Sequence, residues 1–175
     1  MKDIFKKQIR IRFLIIFLII TVLKASQPLP DFKLKDLNNN WITYEDLKGD
    51  KLTIIDFWAT WCAPCIRLLP QLNIIYEKYH KQGVNVIGIN IDAPRNDTKI
   101  KPFVKIYKIK YPILKDPTGS LSSKLDIVSI PELLIVNSKN EIVYRHVGYF
   151  PGDENLIEQE IEKMLNKSDS DDLEN

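Results

Sequence analysis

The chain has 175 residues, of which 45% are apolar and 27% charged, a composition that suits one domain with a full-sized core and argues against repeats or extensive disorder. Its net charge of +2 is unevenly held. Lys2, Lys6, Lys7, Arg10, Arg12 and Lys24 against Asp3 give the first 24 residues +5 and leave −3 for the rest, so the basic balance does not support nucleic-acid binding by the domain.

In chain order, residues 1–25 have a positive start and an apolar run from Phe13 to Leu23, which reads as an export signal. Such a run spans about 16 Å as a helix, against about 30 Å of membrane hydrocarbon. That length favours a signal peptide, but Leu23 and Lys24 fit a cleavage site poorly, so cleavage and anchoring both stay open. Residues 26–30, with Pro28 and Pro30, read as a linker to a domain at 31–166. Phe32 to Leu34 and Trp41 to Thr43 flank Asn38-Asn39-Asn40 and predict a hairpin. Lys51 to Trp58 is almost continuously apolar and β-branched, as in a strand covered on both faces.

Apolar residues Cys65, Leu68, Leu69, Leu72, Ile75, Tyr76 and Tyr79 recur at helical spacing between Pro64 and Gln82, with Pro70 as a kink and Gly83 as a stop. Val84 to Ile91 is the next buried strand, so strand, helix and strand make a right-handed βαβ unit with a parallel centre. A helix over Pro102 to Tyr107 turns Phe103, Val104 and Tyr107 inward and Lys99, Lys101, Lys105, Lys108 and Lys110 outward. Those lysines read as a solvated face, with an acidic partner or lipid surface as the alternative. A turn at Asp116 to Gly119, a short helix over Ser120 to Leu125, and antiparallel strands Glu132 to Asn137 and Glu141 to Val147 follow. The closing helix covers Asp153 to Asn166, and residues 167–175 read as an acidic disordered tail.

Trp61-Cys62-Ala63-Pro64-Cys65 holds the only two cysteines, two residues apart, where strand gives way to helix. Thiol–disulfide exchange needs a thiolate to attack and a second thiol to resolve the mixed disulfide, and this turn provides both. Cys62 meets the free N–H groups and positive dipole end of the helix, a setting that lowers a thiol pKa from about 8.5 to roughly 3.5–7.5. Cys62 is therefore the attacking thiol and Cys65, inside the first turn, the resolving one. Two other readings stand beside this. Structural zinc wants four ligands, and His80 and His146 have no ligand-like spacing. A purely structural disulfide closing so short a loop would remove little unfolded-chain entropy.

Pro30 to Leu37 with Leu47-Lys48-Gly49, the stretch Asp56-Phe57-Trp58-Ala59-Thr60-Trp61-Cys62-Ala63-Pro64-Cys65, and Ile130-Pro131 together resemble the opening hairpin, active site and cis-proline loop of the TlpA/ResA-like exported thiol–disulfide oxidoreductases. The resemblance covers residues 28 to 166. It implies an α/β thioredoxin-like fold: a central mixed β-sheet flanked by helices, with an N-terminal β-hairpin and an inserted helix. It implies further that Pro131 is cis and faces the cysteines, presenting the Ile130 backbone to an extended substrate. Read from the residues alone, that proline would only break a strand. Asp56 matches the buried aspartate of thioredoxins, so it is expected to have a raised pKa and to accept the proton of Cys65; a satisfied polar group at a strand end is the alternative. Trp61, Ala63, Pro64, Ile130, Pro131 and Glu132 are the expected substrate-binding residues. Two departures matter. Leu68 stands where many relatives carry a glutamate, and Glu132 follows the proline where threonine is commonest, a pairing seen in cytochrome c maturation relatives.

The expected function is an extracytoplasmic thiol–disulfide oxidoreductase, a monomer that reduces protein disulfides, with apocytochrome c as one candidate substrate and a membrane thiol as electron donor. No metal, no nucleic acid and no cofactor other than the Cys62–Cys65 disulfide are expected. One alternative is a peroxiredoxin-like peroxidase, for which Thr60 stands only two positions before Cys62 in place of the Pro-x-x-x-Thr-x-x-Cys spacing. The other is a module that delivers metal through the two thiolates.

Overall fold

The computed structural model describes residues 27–173. In chain order these form β1 (Gln27–Pro28), β2 (Lys33–Asp36), β3 (Trp41–Thr43), β4 (Leu52–Trp58), α1 (Ala63–Tyr79), β5 (Val84–Asn90), α2 (Asp97–Ile106), β6 (Ile113–Lys115), α3 (Ser120–Lys124), β7 (Glu132–Asn137), β8 (Glu141–Val147) and α4 (Asp153–Leu173). The strands make one mixed sheet in the order β1-β8-β7-β4-β5-β6-β2-β3.

β4 is the spine because every one of its residues is buried. It runs parallel to β5 and antiparallel to β7, so Asp56 lies opposite Gly88 on one side and Leu133 on the other. β5 and β6 are also parallel, and α1 and α2 are the crossovers that parallel pairing requires. Side chains alternate between the faces. Ile54 and Trp58 join Cys65, Leu68, Leu69 and Leu72 of α1 and Ile157 and Ile161 of α4 in one core, while Ile55 and Phe57 join Ile87, Ile89, Leu114 and Leu134 in the other. Fully burying Ile54, Ile55 and Phe57 contributes on the order of 5–9 kcal/mol, enough to make this strand the anchor for whatever its C-terminal end carries.

Local signals act as their chemistry requires. Asp36 accepts the N–H groups of Asn38 and Asn40 at 2.7 and 2.8 Å and closes the β2–β3 hairpin. α1 passes through Pro70, and its trailing 3₁₀ turn ends at Gly83, whose φ of 85° suits a residue without Cβ. Asp116 caps α3 by accepting the N–H groups of Ser120, Leu121 and Ser122.

Four details differ from the sequence reading. The 26–30 linker is built into the domain over its described part: Gln27–Pro28 pairs with β8, and Leu29 is buried and donates to the Asn140 carbonyl at 2.8 Å. A proline is compatible with such an outermost strand, where its missing N–H need not face a partner. α2 begins at Asp97, a turn before Pro102, and its deepest residue is Ile100. β6 was not foreseen, being only three residues long. The closing helix continues past Asn166 to Leu173, since residues 167–173 contain neither glycine nor proline to stop it. The leader 1–25, Ser26 and residues 174–175 lie outside the described residues, and among the described residues no helix is long and apolar enough to cross a membrane.

Candidate active site

The site forms where β4 ends and α1 begins. Cys62 is the N-cap of α1, with extended backbone, and its Sγ accepts the N–H of Cys65 at 3.2 Å. The first turn carries Pro64 and no acidic residue, so no carboxylate competes for the positive end of the helix. The two cysteines are joined as a disulfide, with Cα atoms 5.3 Å apart. Cys65 is wholly buried. Cys62 is only 5% exposed, a tighter enclosure than the sequence suggested, yet it remains the more accessible sulfur.

The loop before the dithiol is clamped. Asp92, buried just beyond β5, accepts the Thr60 N–H at 2.8 Å and the Thr60 hydroxyl at 2.9 Å, while Asn90 donates to the same carboxylate at 2.8 Å. Ile91 donates its N–H to the Trp58 carbonyl at 2.9 Å, which ties the ends of β4 and β5 together. This clamp was missed in the sequence. The signal was present as Asn90-x-Asp92 closing an apolar strand, since polar groups at the C-terminal ends of parallel strands mark sites in open α/β sheets.

Asp56 is completely buried, and neither carboxylate oxygen has a hydrogen-bond partner among the described residues. Loss of water alone pushes its pKa from 3.8 up to about 8. It lies between Ile54 and Trp58 on β4, hence on the face covered by α1, where both cysteines also pack. Leu68 is fully buried in that core, so the position at which a helix glutamate would stand contributes only packing.

The Ile130–Pro131 bond is cis. Pro131 is buried and its carbonyl accepts the Gly148 N–H at 2.8 Å; Ile130 is half-buried and packs against both cores. Trp61 is 64% exposed, Ala63 is exposed and Pro64 half-buried. Glu132 does not join them. Its side chain is 4% exposed, on the opposite face of β7, where Arg145 donates to Oε1 at 2.6 Å. Arg145 also donates to the Leu125 carbonyl and to Gln27. Alternation sets Glu132 with Leu134 and Val136, away from α1, so the expectation that it binds substrate is corrected to a buried ion pair. Among the described residues, no three His, Cys, Asp or Glu side chains cluster so as to hold a metal. Of the two histidines, His146 lies 3.1 Å from Asp153 and the His80 ring lies tilted against Tyr76, with centroids 4.7 Å apart.

A cysteine pair capping a helix at the end of a buried parallel strand, on a mixed sheet flanked by helices, defines a thioredoxin-like thiol–disulfide oxidoreductase. The chain belongs to the AhpC/TSA family, whose profile matches residues 25–145. It is 32% identical over 119 residues to the thiol-disulfide oxidoreductase ResA of Bacillus thuringiensis subsp. konkukian, covering 68% of this chain and 67% of the relative. It is 30% identical over 142 residues to the ResA of Halalkalibacterium halodurans, covering 81% and 76%. A crystal structure from Chlorobium tepidum, of a chain assigned as a thiol:disulfide interchange protein DsbE, superposes with a TM-score of 0.74 at 27% identity, covering 82% of this chain and 99% of that one.

Proposed function

We propose that the protein reduces disulfides of exported proteins, as a monomer recharged by a membrane thiol. The observation that carries the chemistry is the disulfide at the start of α1, with the Cys62 sulfur capping the helix and Cys65 buried beneath it. In the reduced enzyme, the Cys62 thiolate attacks one substrate sulfur, a mixed disulfide forms and the first substrate thiolate leaves. Cys65 then passes its proton to the Asp56 carboxylate, its thiolate attacks the Cys62 sulfur, the intramolecular disulfide closes and the second substrate thiolate leaves. Two electrons move from the enzyme dithiol to the substrate disulfide, and one proton rests on Asp56. At pH 7 in the disulfide state, a carboxyl with a pKa of about 8 holds that proton, ready to return it to Cys65 when a donor opens the bond.

Trp61, Ala63, Pro64, Ile130 and Pro131 are the docking surface in this reading, and Val128, two residues before Ile130, and Phe150, two residues past the Gly148 that donates to the Pro131 carbonyl, are exposed apolar side chains on the flanking loops. An extended peptide beside the dithiol suits such a surface. The charged start and apolar run of residues 1–25 support export, and an apocytochrome c cysteine pair is the substrate to try first. Thr60 donates its hydroxyl to Asp92, which sets it apart from a peroxide-binding role beside Cys62. The test is a Cys65→Ser variant, expected to accumulate mixed disulfides on Cys62 that mass spectrometry identifies as protein partners. Absence of protein adducts, or peroxide consumption faster than protein-disulfide reduction by the purified parent, would overturn the reading.

A further inference from the structure

On the face of the sheet under α1, three polar side chains without a protein hydrogen-bond partner converge on one glycine. Both oxygens of Asp56, Nε1 of Trp58 and the hydroxyl of Tyr111 are buried and have no hydrogen-bond partner among the described residues. Gly88 is the register partner of Asp56 on β5, and a Cβ there would come within 2.5 Å of Ile113 Cδ1, 3.1 Å of Trp58 Nε1 and 3.3 Å of Tyr111 Cε2. The missing side chain thus makes room for Ile113 and also lets an indole N–H and a phenol ring approach the strand position facing the carboxylate. Tyr111 is 3% exposed. A phenylalanine would fill the same space without burying a hydroxyl, which is costly when it serves nothing. The negative charge of Asp56 is felt at Tyr111, where it adds to burial in raising the phenol pKa well above 10.

We propose that Tyr111 is a positioning residue, which with Trp58 holds one buried water against Asp56 and so sets the pH at which Asp56 takes the Cys65 proton. The proposal rests on Asp56 being the proton partner of Cys65. Three polar partners are what a buried water typically has, and such a water lets the Trp58 and Tyr111 donors stabilise a carboxylate that they do not hydrogen-bond directly. The other titratable groups on this face are engaged elsewhere or remote in charge. Tyr79 donates to Glu162, Tyr149 to Glu154, His146 is paired with Asp153 and stacked on Tyr144, and Tyr76 meets the Tyr111 ring edge-on at 6.3 Å. On α1 the Arg67 charge is felt at Tyr149, Lys78 is paired with Glu158, and the two cysteines do not titrate while bonded to each other.

The experiment is Tyr111→Phe in the full chain, alone and in an Asp56→Asn background, read by the carbon-13 titration of the Asp56 carboxyl in the oxidised protein and by the pH profile of mixed-disulfide resolution. Loss of the donor removes stabilisation from the carboxylate, so the Asp56 midpoint should rise by about one pH unit and the resolution profile should follow it upward. Trp58→Phe, which removes the other donor, should shift the midpoint in the same direction. In the Asp56→Asn background, Tyr111→Phe should leave the profile where it is. An unmoved midpoint overturns the proposal and returns Tyr111 to packing. A midpoint that moves while the resolution profile stays put overturns the coupling to Cys65, and with it the reading of Asp56 as its proton partner.

Discussion

Asp56→Asn is the most informative single substitution, because burial of Asp56 makes a large and signed claim about stability. The folded carboxyl titrates near 8 and the unfolded one near 3.8. Below pH 3.8 both states are protonated, and the aspartate costs only its buried neutral group. Between these values the unfolded chain releases the proton while the folded protein keeps it, so the native state binds more protons and stability falls as pH rises. Above pH 8 both are ionised and the loss is complete. At about 1.4 kcal/mol per pH unit, the whole interval comes to on the order of 5–6 kcal/mol, a large share of a typical domain's 5–15. Asparagine keeps the shape and removes the charge. Urea unfolding of the oxidised protein from pH 4.5 to 8.5 should therefore show the variant close to the parent at the acid end and more stable by several kcal/mol at the alkaline end. Two curves that run parallel across this range would refute the reasoning, since they would mean that Asp56 does not carry its proton in the folded state at neutral pH.

Other outcomes follow from the same geometry. In the reduced protein at pH 7, Cys62 should be alkylated on the order of ten times faster than Cys65, by peptide mapping, because only Cys62 caps the helix and reaches the surface; equal rates would reverse the roles. Asp92→Ala leaves the Thr60 and Asn90 donors unpaired and should cost about 2–4 kcal/mol by urea denaturation, with slower protein-disulfide reduction. A change under about 0.5 kcal/mol would show that the clamp is not needed. Arg145→Met strands the buried Glu132 carboxylate and should cost about 2–4 kcal/mol, discounted for the partial exposure of Arg145, while activity per folded molecule stays at the parent level. A selective loss of substrate reduction would return Glu132 to the docking surface.

The parts of this fold that could be read from sequence are those whose signal is local and repeated. β4 shows as an unbroken apolar run, α1 as a helical period between proline and glycine, and β7 and β8 as a pair across a short turn. β6 could not be read that way, because three residues hold too little alternation, and with β6 unseen the approach of Tyr111 to Gly88 was invisible as well. β1 is two residues that become a strand only because β8 offers an edge. The dithiol was legible since its chemistry sits in five consecutive residues. The Thr60–Asp92 clamp was not, because it depends on β4 and β5 ending at the same level, with Trp58 opposite Asn90. Glu132 was misplaced for a related reason: Leu133 and Ile135 are as apolar as Leu134 and Val136, so alternation alone does not say which face meets the dithiol, and its partner Arg145 is defined only by the β7–β8 register.

These placements give the two thiols separate controls. Cys62 answers to the helix, whose first turn holds no carboxylate and whose Cys65 N–H points at the Cys62 sulfur. In the proposed mechanism Cys65 answers to the strand, through a carboxyl that is buried on the same face and whose pKa is raised by burial alone. A glutamate at position 68 would have placed an acid on the same helix as both sulfurs, where its charge would work against the thiolate of Cys62. With Leu68 there and Asp56 on β4, the proposed proton acceptor for Cys65 stands on the strand and not on the helix that starts at Cys62. On that proposal, activation of Cys62 and storage of the Cys65 proton are independent. Changes at Asp56, Trp58 or Tyr111 should move the pH dependence of mixed-disulfide resolution while leaving the alkylation rate of Cys62 in place.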